Sequence, residues 1–147
     1  MVNTRELATQ VQELASKFAK FTNVKIKSFI GGTEVKKDHE NIEKESIHVA
    51  ICTAGRLKDL LRSKKTLLDQ CGFFVLDEAD SLLKDKTEHD IEEILSYLNK
   101  KCPLYMYSAT FPVRIKSFKQ RFMPNAEVIN LMDELMLIGL THYYILV

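Results

Sequence analysis

The sequence lacks the features that mark membrane, secreted and metal-stapled proteins. Its apolar runs are too short to cross a bilayer, and Arg5 and Glu6 fall where a signal peptide would carry its apolar core. The three cysteines stand far apart with no CxxC pair, so neither a zinc site nor a disulfide framework is indicated. We expect reduced thiols in an intracellular protein of the cytosol or nucleus.

The chain also has almost no net charge. The net charge of the 147 residues is +1, with acidic and basic residues mixed along the chain. Gross electrostatics therefore indicates neither strong nucleic-acid nor strong membrane attraction, and any polyanion would be bound by individually placed groups. A hydrophobic content of 46% and a charged content of 28% are typical of one globular domain with an ordinary core.

Apolar residues recur at helical or strand spacing along most of the chain. Leu7, Val11, Leu14 and Phe18 fall three or four residues apart, which predicts an amphipathic helix over residues 5–21, capped by Thr4. Strands alternate with helices and no hairpin turns separate them, an order typical of a doubly wound α/β fold with a parallel sheet. The predicted strands are 24–30, 47–52, 73–76, 104–107 and 127–131, and the predicted helices are 35–43, 56–62, a region within 81–98, and 112–122.

Polar turns follow four of these strands. Ligands of parallel α/β sheets bind outside the carboxyl ends of the strands, so these turns are the candidate sites. They are residues 31–33 (GGT), 53–56 (TAGR), 77–80 (DEAD) and 108–110 (SAT), and residues 4–6 (TRE) at the start of the first helix are a fifth candidate.

The most informative turn is the acidic one, within the stretch FFVLDEADSLL. A carboxylate at the tip of a buried strand can hold hydrated Mg²⁺ against nucleotide phosphates, and a neighbouring carboxylate can orient or deprotonate a water. The alternative is that Asp80 and Ser81 only cap the next helix, while Asp77 and Glu78 favour its positive end.

Five short motifs resemble those of the DEAD-box RNA helicases. DEAD at residues 77–80 resembles the motif that names the family, and TRELA at residues 4–8 resembles its motif Ia. Gly31 and Gly32 resemble its glycine doublet, TAGR resembles its TPGR, and SAT resembles its motif III, all in the family's order. The resemblance covers essentially the whole chain and implies a RecA-like sheet of the P-loop NTPase type.

The resemblance implies an ATPase site that uses ATP and Mg²⁺. Asp77 would engage Mg²⁺ through water, and Glu78 would be the base for the water that attacks the γ-phosphate. Asp80, Ser108 and Thr110 would couple this site to RNA. Such phosphoryl transfer depends mostly on positioning and charge neutralisation. For Ser108 and Thr110 the alternative is a hydroxyl pair that caps the helix near Pro112.

The resemblance also implies a surface for single-stranded RNA. Glycines let a phosphate approach backbone N–H groups, helix N-termini carry positive potential, and arginine contacts phosphate in a fork, so the contacts would leave base sequence unread. The alternatives are a plain turn for the glycines and a solvated surface charge for either arginine. The implied RNA-binding residues are Thr4, Arg5, Gly32, Thr33, Thr53, Gly55 and Arg56.

The chain departs from the family pattern at several points. Asn3 and Ala54 stand where the family usually has proline, which loosens two turns without deleting a donor. No glycines are spaced as GxxxxGK[ST], so we expect the family's Q motif and P-loop to lie before Met1 and the sheet to be incomplete on that side. Residues 1–131 are thus expected to be part of a first RecA-like domain, 132–140 a linker and 141–147 the first strand of a second domain.

The segment EVINLMDELMLIGLTHYYILV further resembles the cytoplasmic P-body subgroup of these helicases. That subgroup represses translation and is associated with decapping. The resemblance implies a cytoplasmic location, P-bodies included, and mRNA-decay or translation-repression proteins as partners. No membrane association is expected.

Other readings of the chain stay open. One is a non-catalytic module that binds RNA or a protein partner, and another is a degenerate fragment without function. A metal nuclease that uses Asp77, Glu78 and Asp80 is disfavoured, because such sites gather carboxylates from several strand ends, and the other turns offer hydroxyls, glycine and arginine.

Overall fold

The computed structural model describes residues 1–131, apart from the side chains of residues 85 and 86. Helices and parallel strands alternate, as the sequence predicts. Within the described residues no helix is long and apolar enough to span a membrane. The strands are β1 (Ile26–Phe29), β2 (Val49–Cys52), β3 (Phe74–Leu76) and β4 (Leu104–Met106), and the helices are α1 (Arg5–Phe18), α2 (Val35–Lys44), α3 (Ala54–Ser63), α4 (Ala79–Leu82), α5 (Asp85–Ser96) and α6 (Val113–Phe122).

Two parallel strand pairs form the sheet, and residues 1 and 2 join them. β1 pairs with β2 in the register Ile26↔Val49, and β3 pairs with β4 in the register Phe74↔Leu104. The amide of Val2 donates to the carbonyl of Cys52 at 3.0 Å, and the amide of Asp77 donates to the carbonyl of Met1 at 3.0 Å. The order across the molecule is therefore β1, β2, residues 1–2, β3, β4. The predicted parallel α/β architecture is confirmed.

Helix α1 begins where the sequence predicts. The hydroxyl of Thr4 accepts a hydrogen bond from the amide of Leu7 at 3.1 Å, which satisfies one of the free N–H groups of the first turn. The helix ends at Phe18 and tightens into a 3₁₀ turn over Ala19–Phe21. Its apolar side packs on the β1–β2 pair, where Val2, Ala8 and Ile51 form a small buried cluster.

The main core is formed by side chains of β3, α3, α5 and α6. Its fully buried side chains include Leu61, Leu76, Ile94 and Phe118. Burying one such side chain stabilises the fold by about 1.5–3 kcal/mol, so this core fixes β3 and the turn that follows it. The three cysteines are free thiols, with Cys52 buried and the other two half-buried.

The strand predicted over residues 127–131 is wrong. These residues make no strand pairing within the part of the chain that the structure describes. Val128 is 52% exposed, Ile129 82% and Leu131 81%. An apolar run becomes a strand only where a neighbouring strand takes its backbone hydrogen bonds, and none does so here among the described residues. The linker predicted over 132–140 and the strand predicted over 141–147 lie outside the described residues.

Candidate functional site

The candidate turns lie along one edge of the sheet. Because the paired strands are parallel, the turns that follow them emerge on the same side, here named the carboxyl edge. The order along this edge differs from the order in the chain, since residues 1–2 lie between β2 and β3. From β1 to β4 the turns are residues 31–33, 53–56, 4–6, 77–80 and 108–110.

The acidic turn, residues 77–80, is held at two points by backbone hydrogen bonds. The amide of Asp77 donates to the carbonyl of Met1 at 3.0 Å, and the amide of Ala79 donates to the carbonyl of Tyr107 at 2.9 Å. Glu78, between these anchors, has a φ of 52°, the left-handed conformation. For a residue with a side chain this costs about 1–2 kcal/mol, and such strain is found most often at functional sites.

Glu78 is exposed, and Asp77 is half-buried. One carboxylate oxygen of Asp77 accepts from the amide of Glu78 at 3.0 Å. Mg²⁺ commonly binds through one or two carboxylates while it keeps several waters and contacts substrate phosphates, and the acidic turn fits that mode. Among the described residues no group of three His, Cys, Asp or Glu side chains could hold a metal on its own.

Asp80 joins the acidic turn to the SAT turn. The hydroxyl of Thr110 donates to a carboxylate oxygen of Asp80 at 2.7 Å, and the amide of Asp80 donates to the hydroxyl of Ser108 at 3.2 Å. The hydrogen bond from Thr110 is the main reason that the pKa of Asp80 lies below its ordinary value, and it outweighs desolvation, which raises that pKa. The carboxylate is therefore ionised near neutral pH, and it accepts a hydrogen bond from the neighbouring turn.

The capping alternatives for these residues are wrong. Helix α4 has Glu78 at its N-cap, and no side chain caps it. Helix α6 has Pro112 at its N-cap, also without a side-chain cap, and Thr110 instead donates its hydroxyl proton to Asp80. The structure thus brings together three residues that the sequence could pair only through the family resemblance: Asp80, Ser108 and Thr110.

Arg5 lies over the glycine turn, residues 31–33. A Cβ atom on Gly31 would come within 2.9 Å of the Arg5 guanidinium, and one on Gly32 within 3.1 Å. Gly32 has a φ of 103°, which a residue with a side chain rarely adopts. Gly32 is therefore required by its backbone conformation, whereas a side chain at residue 31 would only have to displace the end of the Arg5 side chain. Arg5 remains an exposed cation above both glycines.

Arg56 is only 5% exposed, so the surface-charge alternative is wrong for this residue. Its guanidinium forms an ion pair with Asp38, which is 7% exposed. It also donates to the hydroxyl of Thr33 at 2.9 Å and to the carbonyl of Thr33 at 2.6 Å. Sequence reasoning missed Asp38, because one acidic residue in the polar helix α2 has no distinguishing signal.

The remaining predicted RNA-contacting residues lie at helix starts on the carboxyl edge. Thr4 is the exposed N-cap of α1, and Thr53 is the half-buried N-cap of α3. Gly55 is exposed, with open space where a Cβ would lie. The glycine turn, residues 53–56 and the start of α1 therefore form a first group of turns along the carboxyl edge. The acidic turn and the SAT turn, which follow β3 and β4, form a second group beside it.

Comparison with known proteins identifies the family of the chain. A family model described as DEAD/DEAH box helicase matches residues 1–118. The Oryza sativa subsp. japonica protein named DEAD-box ATP-dependent RNA helicase 12 is 40% identical over 144 residues, which are 98% of this chain and 27% of that protein. The Dictyostelium discoideum protein named probable ATP-dependent RNA helicase ddx6 is 37% identical over 144 residues, 98% of this chain and 34% of that protein.

A solved structure has the same fold. It contains a variant of S. cerevisiae Dbp5 bound to a variant of Gle1 and to IP6, and its TM-score is 0.78 at 29% identity, over 90% of this chain and 33% of that chain. This chain thus spans about a third or less of the length of these relatives. The family model matches most of the chain, including all five turns of the carboxyl edge, and the chain belongs to the DEAD/DEAH box helicase family.

Proposed function

We propose that this chain provides part of the RNA-binding and ATP-hydrolysing surface of an ATP-dependent RNA helicase. The observation that carries the proposal is the pair of contacts from Asp80 to Thr110 and Ser108. They connect the acidic turn to the turn after β4, so a movement of one turn would also move the other. Membership of the DEAD/DEAH box helicase family supports the same function.

The acidic turn would act on the nucleotide. Mg²⁺, when bound with ATP, would neutralise phosphate charge during transfer of the γ-phosphoryl group. Asp77 would hold the hydrated ion through its carboxylate. The carboxylate of Glu78 would accept a proton from the attacking water, because it is exposed at the tip of the turn.

The first group of turns would hold single-stranded RNA by its backbone. Arg5 is an exposed cation over the glycine turn, and the start of α1 at Thr4 lies beside it on the carboxyl edge. Helix N-termini and open glycine backbone favour phosphate, and none of these groups reads a base edge. Binding would therefore be independent of base sequence and sensitive to salt.

A cytoplasmic role in mRNA repression or decay, with P-bodies as a site, is a finer proposal. It is supported by the resemblance of residues 127–147 to the P-body subgroup and by 37% identity to the Dictyostelium protein named ddx6. Partners in this proposal are mRNA-decay or translation-repression proteins. Co-purification of such proteins with the tagged chain, and its enrichment in P-bodies under the microscope, would test it.

A chimera tests the catalytic proposal. The matched segment of the rice helicase is replaced by this chain, and RNA-stimulated ATP hydrolysis is measured. We expect activity in the chimera and its loss, by about a hundredfold or more, on Glu78→Gln, since removal of a general base costs that much. Glu13→Gln is the matched control, because Glu13 is an exposed glutamate on α1.

Two results would contradict the catalytic proposal. One is a chimera that unfolds cooperatively but hydrolyses no ATP with RNA present. The other is an active chimera in which Glu78→Gln and Glu13→Gln have the same rate. The first result would mean that this chain does not provide a working part of the ATPase, and the second that the acidic turn does not supply the base.

A second candidate function is a non-catalytic RNA-binding module. It is favoured by Arg5, an exposed cation over the glycine turn, because a phosphate contact at this place needs no nucleotide. This reading predicts that the 147-residue chain binds single-stranded RNA equally with and without ATP. A chain that is folded but shows no binding to RNA at low salt would exclude it.

A further inference from the structure

Asp38, Arg56 and Thr33 form a connected group between three elements of the carboxyl edge. Asp38 belongs to α2, Arg56 to the first turn of α3, and Thr33 to the glycine turn. Asp38 and Arg56 are both more than nine-tenths buried, whereas Thr33 is exposed. The ion pair is thus covered from solvent, and only the residue that it holds faces outward.

The guanidinium of Arg56 donates three hydrogen bonds to these neighbours. Its Nη1 donates to Asp38 and to the hydroxyl of Thr33 at 2.9 Å, and its Nη2 donates to the carbonyl of Thr33 at 2.6 Å. Its Nε is buried and has no hydrogen-bond partner among the described residues. Only 4% of the Arg56 side chain is exposed, so a phosphate in solvent has little of the guanidinium to contact.

We infer that Asp38 and Arg56 are positioning residues for RNA binding, and that Arg56 acts through Thr33 and does not contact phosphate itself. The inference deepens the proposed RNA-binding function and rests on it. Asp38 fixes the guanidinium, the guanidinium fixes both the hydroxyl and the carbonyl of Thr33, and the glycine turn is thereby held in one conformation. Arg5, exposed over the same turn, is the cation left to meet phosphate.

Asp38→Asn separates this inference from simple charge effects. Removing a negative charge near a phosphate-binding surface strengthens RNA binding if only charge matters. Loss of the positioning ion pair weakens binding, and we expect about a tenfold loss because an uncharged amide oxygen holds the guanidinium less firmly than a carboxylate does. Asp59→Asn is the matched control, since it removes the same charge from an exposed position on α3.

The salt dependence of binding to a fluorescein-labelled uridine decamer identifies the residue that meets phosphate. For single strands the slope of log Kobs against log salt changes by about 0.7 for each phosphate that the protein no longer neutralises. We expect Arg5→Ala to reduce the slope by that amount. Asp38→Asn and Arg56→Lys should lower affinity with the slope unchanged.

A measurement without RNA keeps the inference separate from the proposed function. Backbone ¹⁵N order parameters of Gly32 and Thr33 should fall from about 0.85 to below about 0.6 in Asp38→Asn, but not in Asp59→Asn. If the 147-residue chain binds no RNA, the RNA-binding proposal fails, and the order parameters still decide whether the ion pair positions the turn.

Three results would overturn the inference. They are unchanged order parameters at the glycine turn in Asp38→Asn, tighter RNA binding by that variant, or a slope change in Arg56→Lys equal to that of Arg5→Ala. If Asp38→Asn does not fold, Arg56→Lys serves in its place for the order parameters as well, because it keeps the buried charge and loses the forked donation to Thr33.

Discussion

The hydroxyl of Thr110 donates a hydrogen bond of 2.7 Å to the carboxylate of Asp80, across 30 residues of chain. The contact binds the end of β4 to the acidic turn after β3. Neither residue is buried. The hydrogen bond competes with water because its acceptor is charged, which strengthens it. Its removal has a consequence for pH dependence that stability measurements can detect.

Thr110→Val should lower stability most above the ordinary pKa of an aspartate, and its effect should become smaller as pH falls below that value. The pKa of Asp80 is lowered in the folded chain, so its ionised form contributes stability that is present above pH 3.8 and is lost as pH falls below that value. We expect a loss of about 1 kcal/mol near neutral pH, discounted for solvent exposure. Urea unfolding between about pH 6 and pH 3 measures it.

Thr66→Val is the control for this change, because Thr66 is an exposed threonine in the 3₁₀ turn Lys65–Leu68. It should show no such pH dependence. A Thr110→Val effect of the same size at pH 3 and pH 6, tested within about 0.5 kcal/mol, would mean that the Asp80 carboxylate is not its cause.

Glu78→Gly should be more stable than Glu78→Ala. Both changes remove the carboxylate, but only glycine relieves the left-handed backbone at φ 52°. The expected difference is about 1 kcal/mol in the free energy of unfolding, measured by urea titration. Equal stability of the two variants would show that the turn carries no backbone strain.

Gly32→Ala should destabilise the glycine turn by about 1–2 kcal/mol. Its φ of 103° is unfavourable for alanine, and the new methyl group would lie 3.1 Å from Arg5. Gly55→Ala is the opposite case, since it lies in α3 with open space around it and should stabilise by about 0.5–1 kcal/mol. Thermal unfolding of both variants checks the sign, and a stabilised Gly32→Ala would contradict the assigned conformation.

Cys52 should resist alkylation in the folded chain. Burial raises its pKa to about 12 and that of Cys71 to about 11, and the reactive thiolate is therefore scarce near pH 8. Mass spectrometry after iodoacetamide treatment should show label at Cys71 before Cys52, because Cys71 is half-buried and Cys52 is fully buried. Addition of urea should remove the difference, and rapid labelling of Cys52 without urea would show that the core opens.

Periodicity predicted the helices and strands correctly where a neighbouring element within the described residues packs against them or pairs with them. The pattern predicts a helix over residues 35–43, and α2 runs from Val35 to Lys44. The strand predicted over 127–131 is wrong because its apolar pattern says nothing of whether a neighbouring strand is there to pair with it. Periodicity reports a preference, and pairing decides the structure.

The candidate site was predictable in position and only partly in contacts. The rule that ligand-binding turns follow the carboxyl ends of parallel strands located four of the five motif turns. Residues 4–6 were identified only as a helix start. The inward direction of Arg56 was not predictable, because an arginine at a helix start is usually solvated and its partner Asp38 lies in another element. The bond from Thr110 to Asp80 likewise depends on β3 and β4 being neighbours, which no local pattern states.

The position of residues 1–2 between the two strand pairs has a consequence for folding kinetics. The β1–α2–β2 unit can form from neighbouring stretches of chain, whereas Met1 reaches the carbonyl of Val75 across 74 residues. Closing so long a loop is entropically costly, and parallel pairing of distant segments is slow. The glycine and TAGR turns should therefore become ordered in an early phase of folding. The acidic turn should reach its strained conformation only when residues 1–2 form their backbone hydrogen bonds between β2 and β3.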